Sequence, residues 1–284
     1  MQPIRTADET TRSTCSDNAV PWLNSDREAR FAKTMTEEFQ ADPFLPTLFA
    51  NQQDDVYCLG LVTNWPPAQA MEEAHQQLVQ AIKNECFDPK DVTSTAQQQH
   101  PAVTFMPFDS LHTTVAMLFP TTRIDEMTIP IPQLEEDWKQ IILEASKLPE
   151  WPQAAFQLQI DSAKIASRAG IILWKETTGG LDRMRKCVQQ IVHQDEGSTR
   201  QYSYLQDIFS FPSIVHTTIL RYSSVPQATS HAHAQSQLEN KVVPQLHEIF
   251  SEPIVANVAK VVDCKIYLNS PENEHSVVCS VPLV

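Results

Sequence analysis

The tripeptide His-Thr-Thr occurs twice, each time inside an apolar run: Leu111-His112-Thr113-Thr114-Val115-Ala116-Met117-Leu118 and Ile214-Val215-His216-Thr217-Thr218-Ile219-Leu220. The β-branched and aliphatic composition of both runs predicts strands. Side chains alternate across a strand, so His112 and Thr114 share one face, with Leu111, Thr113, Val115 and Met117 on the other. His216 and Thr218 share a face in the same way. Taken singly, each copy reads as a half-buried strand histidine with a hydrogen-bonding threonine. Taken together they read as a site. None of the other seven histidines has Ser or Thr two places on, and the copies stand 104 residues apart, room for one structural repeat.

With 284 residues the chain can bury a large core, as one bilobed domain or two small ones. Only 5 residues are Gly and 20 are Pro, and no phosphate-cradling Gly-rich fingerprint is present. A net charge of −14 argues against a broad footprint for duplex DNA. A small anionic substrate stays compatible, because a local cleft can override the global field. The six cysteines, Cys15, Cys58, Cys86, Cys187, Cys264 and Cys279, show no Cys-x-x-Cys spacing and suit a reducing compartment. The polar stretch Met1 to Asp17 is no signal peptide, and no run reaches the roughly 20 apolar residues of a membrane span. An intracellular, cytoplasmic monomer with no membrane partner is expected, with a nuclear location as the second choice.

Residues 1 to about 23 read as disordered, followed by a helix from Asn24-Ser25-Asp26 through Phe31, Met35 and Phe39. A boundary near 50 separates this extension (1–50) from a globular part (51–284). Strands are expected at 56–62, 103–106, 111–119, 156–165, 171–175, 213–222, 255–268 and 276–281. Gly60 marks a bulge or close backbone approach in the first. Helices are expected at 68–86, 133–147, 181–193 and 232–250, and loops at 88–100, 120–132 and 194–210. The order repeats once, which predicts an α+β, pseudo-duplicated bilobed fold: two antiparallel-rich sheets lining a central cleft, helices outside.

At these residues the chain resembles the 2H phosphoesterase superfamily, the 2′-5′ RNA ligase and cyclic nucleotide phosphodiesterase-like proteins, which carry two His-x-Thr/Ser motifs. His112-Thr113-Thr114 and His216-Thr217-Thr218 match these. Leu59-Gly60-Leu61-Val62 is similar to the family's first strand, Val215-His216-Thr217-Thr218-Ile219-Leu220-Arg221 to its His-x-Thr-Leu-x-Arg ending, and Val261 to Ser270 to its penultimate strand. The resemblance covers about 55–284. It departs in long loops at 88–102 and 194–210, and in Pro212 standing farther before His216 than the family pattern. It implies hydrolysis or transfer at a cyclic or 2′-linked phosphodiester of a nucleotide or RNA end.

The chemistry follows from the residues themselves. Imidazole titrates near 6.5, so one of the pair His112 and His216 can accept a proton while the other donates one. Thr114 and Thr218 would donate to non-bridging phosphoryl oxygens. No Asp/Glu/His cluster with metal spacing flanks either motif, so no metal or cofactor is expected. The competing reading is a nucleotide or RNA-end binding module on the same scaffold, without turnover. Three other features read as structural. His231-Ala232-His233 is a solvated helix start, and Arg183, Arg185 and Lys186 are a solvated helix face. Tyr57, Phe105 and Trp174 are core or cleft wall.

Overall fold

A computed structural model of the chain describes residues 32–33, 35, 37–45, 56–65, 67–94, 100–193, 202–263 and 277–283. The stretch expected to be disordered at the start, most of the helix expected after it, parts of the loops expected at 88–100 and 194–210, and the end of the strand expected to reach 268 lie outside the described residues. Nine strands are described: β1 (Val56–Thr63), β2 (Val103–Phe105), β3 (Thr113–Arg123), β4 (Phe156–Ile165), β5 (Ala169–Glu176), β6 (His216–Tyr222), β7 (Ile254–Ala256), β8 (Val258–Asp263) and β9 (Val277–Pro282). They form two antiparallel sheets, ordered β3-β1-β8-β9 and β2-β6-β5-β4-β7. Each sheet contains one His-Thr-Thr strand, and the fold is α+β and bilobed, as the element order anticipated.

The helices α1 (Glu72–Cys86), α2 (Pro89–Val92), α3 (Ile131–Ala145), α4 (Gly180–His193), α5 (His231–Gln237) and α6 (Leu246–Ile249) cover the outer faces. Helices α3 and α4 pack together, against β9 and β3 of the first sheet, while α5, α6 and the segment between them pack on β4 of the second, against α1. Leu134, Trp138, Ile141, Ile142 and Ala145 recur at helical spacing in α3 and are all buried, so one apolar stripe holds it to the sheet. At the start of α4, a β-carbon on Gly180 would stand 2.6 Å from the Phe156 ring, so only glycine lets this helix approach β4. The helix expected at 232–250 is interrupted by a π-turn over Leu238–Val242. Pro244 has no N–H and crowds the carbonyl four residues back, which widens the turn before it.

Strand β1 is apolar on both faces. Tyr57, Leu59 and Leu61 enter the main core under the helices. Val62 joins Trp65, Val262 and Val277 in a small separate cluster on the opposite face. The apolar stretch from Val255 is two strands, not one: β7 pairs with β4, β8 pairs with β1, and the chain changes sheets at Asn257. Strand β3 runs on to Arg123, through what reads as the start of a Pro-punctuated loop. It tolerates Pro120 because it is the edge of its sheet, where a missing N–H costs no ladder bond. Strand β6 starts only at His216, three residues later than the sequence suggests. Residues 37–40 are not helical, and Phe39 turns inward, its ring centroid 4.7 Å from that of Tyr222.

The two sheets meet at the motifs. The hydroxyls of Thr113 and Thr217 stand 3.2 Å apart, both buried. Trp174 of β5 donates its indole N–H to Thr217 Oγ1 over 2.9 Å. Beside this junction, Met117 and Ser210 exchange two backbone hydrogen bonds of 2.8 Å. The middle threonines are thus the seam between the lobes. Thr217→Val leaves the Trp174 N–H buried without its acceptor and the Thr113 hydroxyl buried without its partner. It is expected to cost about 1–3 kcal/mol in urea unfolding, more than Thr113→Val, which leaves the indole bond in place. Equal or negligible losses would contradict this role.

Candidate active site

Each motif leaves His and the second Thr half-buried and places the middle Thr in the seam, and of the two motifs it is the first whose His and Thr line a cleft. His112, Thr114, His216 and Thr218 are half-buried, whereas Thr113 and Thr217 are buried. His112 and Thr114 line a cleft of about 260 Å³, counting space open to solvent, with Cys58, Gly60, Val62, Met117, Val262 and Asp263. His112 itself lies just before the first residue of β3, held in an extended approach rather than inside the strand. His216 is the first residue of β6. The two rings are close enough for the charge of His216 to oppose protonation of His112.

Met117 was expected on the face opposite His112. The register shows why it is not. Thr114 pairs with Val62 and Ala116 pairs with Leu61, so Val115 is an extra residue, a β-bulge that reverses the alternation and turns Met117 into the cleft. The bulged Val115 carbonyl accepts from Arg185 Nε at 3.0 Å. The second motif repeats the device. Thr218 pairs with Ile171 and Leu220 with Gly170, leaving Ile219 as the bulge. Its carbonyl accepts from the Met106 N–H at 2.9 Å. Arg221 holds the position that Met117 holds in the first motif, five residues after the histidine. It forms an ion pair with Asp42.

Arg185 is a correction to the solvated-face reading of α4. It is 3% exposed and runs under the site, while Arg183 and Lys186 remain exposed. His231 does begin a helix, capped by Ser230, but it is buried against the Ile165 carbonyl rather than solvated. Tyr57 and Trp174 are buried, and Phe105 is half-buried beneath the Lys83 ammonium. Among the described residues no three His, Cys, Asp or Glu side chains are grouped to hold a metal ion. No described helix is long and apolar enough to cross a membrane.

The ring of His112 is fixed by its own backbone: Nδ1 is 2.8 Å from the Ser110 carbonyl. A carbonyl only accepts, so Nδ1 carries the proton, and in the neutral ring Nε2 keeps a basic lone pair. Ile214, two residues before His216 as Ser110 is before His112, favours protonation of His216 through its backbone. It does not meet hydrogen-bond geometry at Nδ1, which is buried. Burial pushes the pKa of His112 down to about 4, with the charges of His216 and Arg221 adding to it. Burial also lowers His216 to about 4, helped by Arg221 and Arg185. Both rings are therefore neutral at pH 7 in the empty cleft. An anion between them stabilises their charged forms and raises both pKa values.

His75, buried in α1, is likewise lowered to about 4 by burial. The unfolded chain binds more protons than the folded one between the folded value near 4 and the ordinary value of 6.5. Stability should accordingly be full above pH 6.5 and fall as pH drops through that window. Urea midpoints at pH 7 and pH 5 should show this loss, and His75→Leu should reduce it. A midpoint unchanged between the two would contradict the assignment.

No family model matches the chain, and no curated protein matches it in sequence. Solved structures resemble it in fold. A conserved protein of unknown function from Agrobacterium tumefaciens is 16% identical, with a TM-score of 0.48 over 79% of this chain and 87% of that one. The E. coli LigT structure complexed with 3′-AMP is 16% identical, with a TM-score of 0.38 over 74% and 88%. Kluyveromyces marxianus Usb1 with uridine monophosphate is 11% identical, with a TM-score of 0.45 over 82% and 100%.

Proposed function

We propose that the chain is a 2H phosphoesterase that hydrolyses or transfers a cyclic or 2′-linked phosphodiester of a nucleotide or RNA end. His112 and His216 are its acid–base pair, and Thr114 and Thr218 its phosphate-binding hydroxyls. One observation carries this reading: two imidazoles in equivalent places, held within mutual electrostatic reach by a threonine seam, at a cleft whose wall also presents Thr114.

A phosphodiester brings one negative charge. Placed between two neutral imidazoles that resist protonation in the empty cleft, it draws one proton onto the pair, which then titrates as a unit. The neutral ring removes a proton from the attacking water or ribose hydroxyl. The protonated ring donates to the leaving oxygen as the P–O bond breaks, so the proton count is restored after turnover. Charge that accumulates on the non-bridging oxygens is met by the Thr114 and Thr218 hydroxyls. Arg221, half-buried after its bulge, adds positive potential to both rings.

Turnover of a panel of 2′,3′-cyclic nucleotides, 2′,5′-oligoadenylate and 3′-uridylated RNA tests the reading. His112→Ala and His216→Ala should each lower kcat by about 10²–10⁴ in folded protein. Thr114→Ala and Thr218→Ala should cost less, through KM and kcat together. Wild-type protein that binds these ligands and turns over none would instead be a binding module.

A further inference from the structure

The cleft wall of the first sheet continues past the histidines, and the cross-strand register gives its order. Thr114 pairs with Val62, Val62 with Lys260, and Lys260 with Ser280. Residues paired directly across antiparallel strands point to the same side of the sheet. This row therefore runs from the phosphate-binding threonine, over an apolar step, to an ammonium group. Neighbouring strands lie about 4.8 Å apart, which puts the Lys260 backbone about 10 Å from that of Thr114. The adjacent row, Met117, Gly60 and Val262, is apolar and leaves the floor low, because Gly60 has no side chain.

Lys260 is held over an aromatic ring. Its Nζ lies 5.2 Å from the centroid of the Trp65 ring. Trp65 is in turn fixed by donating its indole N–H to the Asp109 carbonyl at 2.8 Å. Among the described residues no acidic side chain forms an ion pair with Lys260, in a chain with a net charge of −14. Partial burial lowers the pKa of its amine, a sign of incomplete solvation that a bound anion would relieve.

We propose that Lys260 binds a second phosphate, one nucleotide away from the reacting one, so that the substrate is an oligonucleotide end of at least two nucleotides rather than a mononucleotide. This rests on the phosphoesterase reading for the position of the first phosphate. The intervening sugar or base passes over Gly60 and Met117, the part-exposed apolar residues of the cleft lining, which carry no side-chain hydrogen-bonding group and so impose no base choice there. Contact with the phosphate comes from a fixed point charge on a rigid strand.

The test is calorimetric binding to the full chain of a 3′-phosphorylated dinucleotide and of a nucleoside 3′-monophosphate. Wild-type protein should prefer the dinucleotide. Lys260→Ala and Lys260→Gln should each weaken the dinucleotide about tenfold and leave the monophosphate unchanged, with Lys260→Arg restoring most of the loss. The slope of log affinity against log salt should fall by about 0.7 for the dinucleotide alone. Equal weakening of both ligands, no weakening of either, or no wild-type preference would overturn the proposal. The catalytic reading fails on a different result, unchanged turnover in His112→Ala and His216→Ala, so the two are separable.

Discussion

The contact on which the rest depends is the hydrogen bond between Thr113 and Thr217, with the Trp174 indole donating into it. A hydroxyl pair buried at the join of two sheets is satisfied in only a narrow range of separations. Through the alternation of each strand it fixes where the neighbouring residues must be. His112 and Thr114 flank Thr113; His216 and Thr218 flank Thr217. The seam therefore helps to set the spacing of two imidazoles and two hydroxyls from a pair of residues that carry neither role. The residues that look dispensable in the motif, the middle threonines, hold the site together.

The duplication goes deeper than the tripeptide. In both lobes a β-bulge follows the second threonine, and in both the buried bulge carbonyl is taken by a donor from another element, Arg185 in one case and the Met106 amide in the other. After each bulge the fifth residue from the histidine is half-buried: Met117 lines the cleft, and Arg221 lies within electrostatic reach of both imidazoles. The equivalent backbone thus delivers an apolar wall on one side and a charge on the other, which is how a symmetric frame yields an asymmetric cleft.

Much of this was readable from the residues. The strand character of both motifs, the faces of His112, Thr114, His216 and Thr218, and the outer helices followed from periodicity, because each rests on local spacing. What was not readable depends on pairing. The face of Met117 was misassigned because an extra residue in a strand is visible only against its partner strand. The stretch from Val255 looked continuous because Asn257 interrupts it by a change of sheet, not a change of composition. Arg185 looked solvated because its neighbours Arg183 and Lys186 are, and nothing local announces a buried carbonyl waiting for a donor. Phe39 was placed on a helix, whereas its burial against Tyr222 is set by a strand far along the chain.

The central claim is that the two imidazoles address one anion-sized position. Titration of the His112 and His216 ring protons by NMR, with and without a nucleoside monophosphate, measures it directly. The account predicts both rings near pKa 4 in the free protein and a rise in both when the phosphate binds. Rings that titrate near their ordinary value and do not respond to the ligand would contradict it.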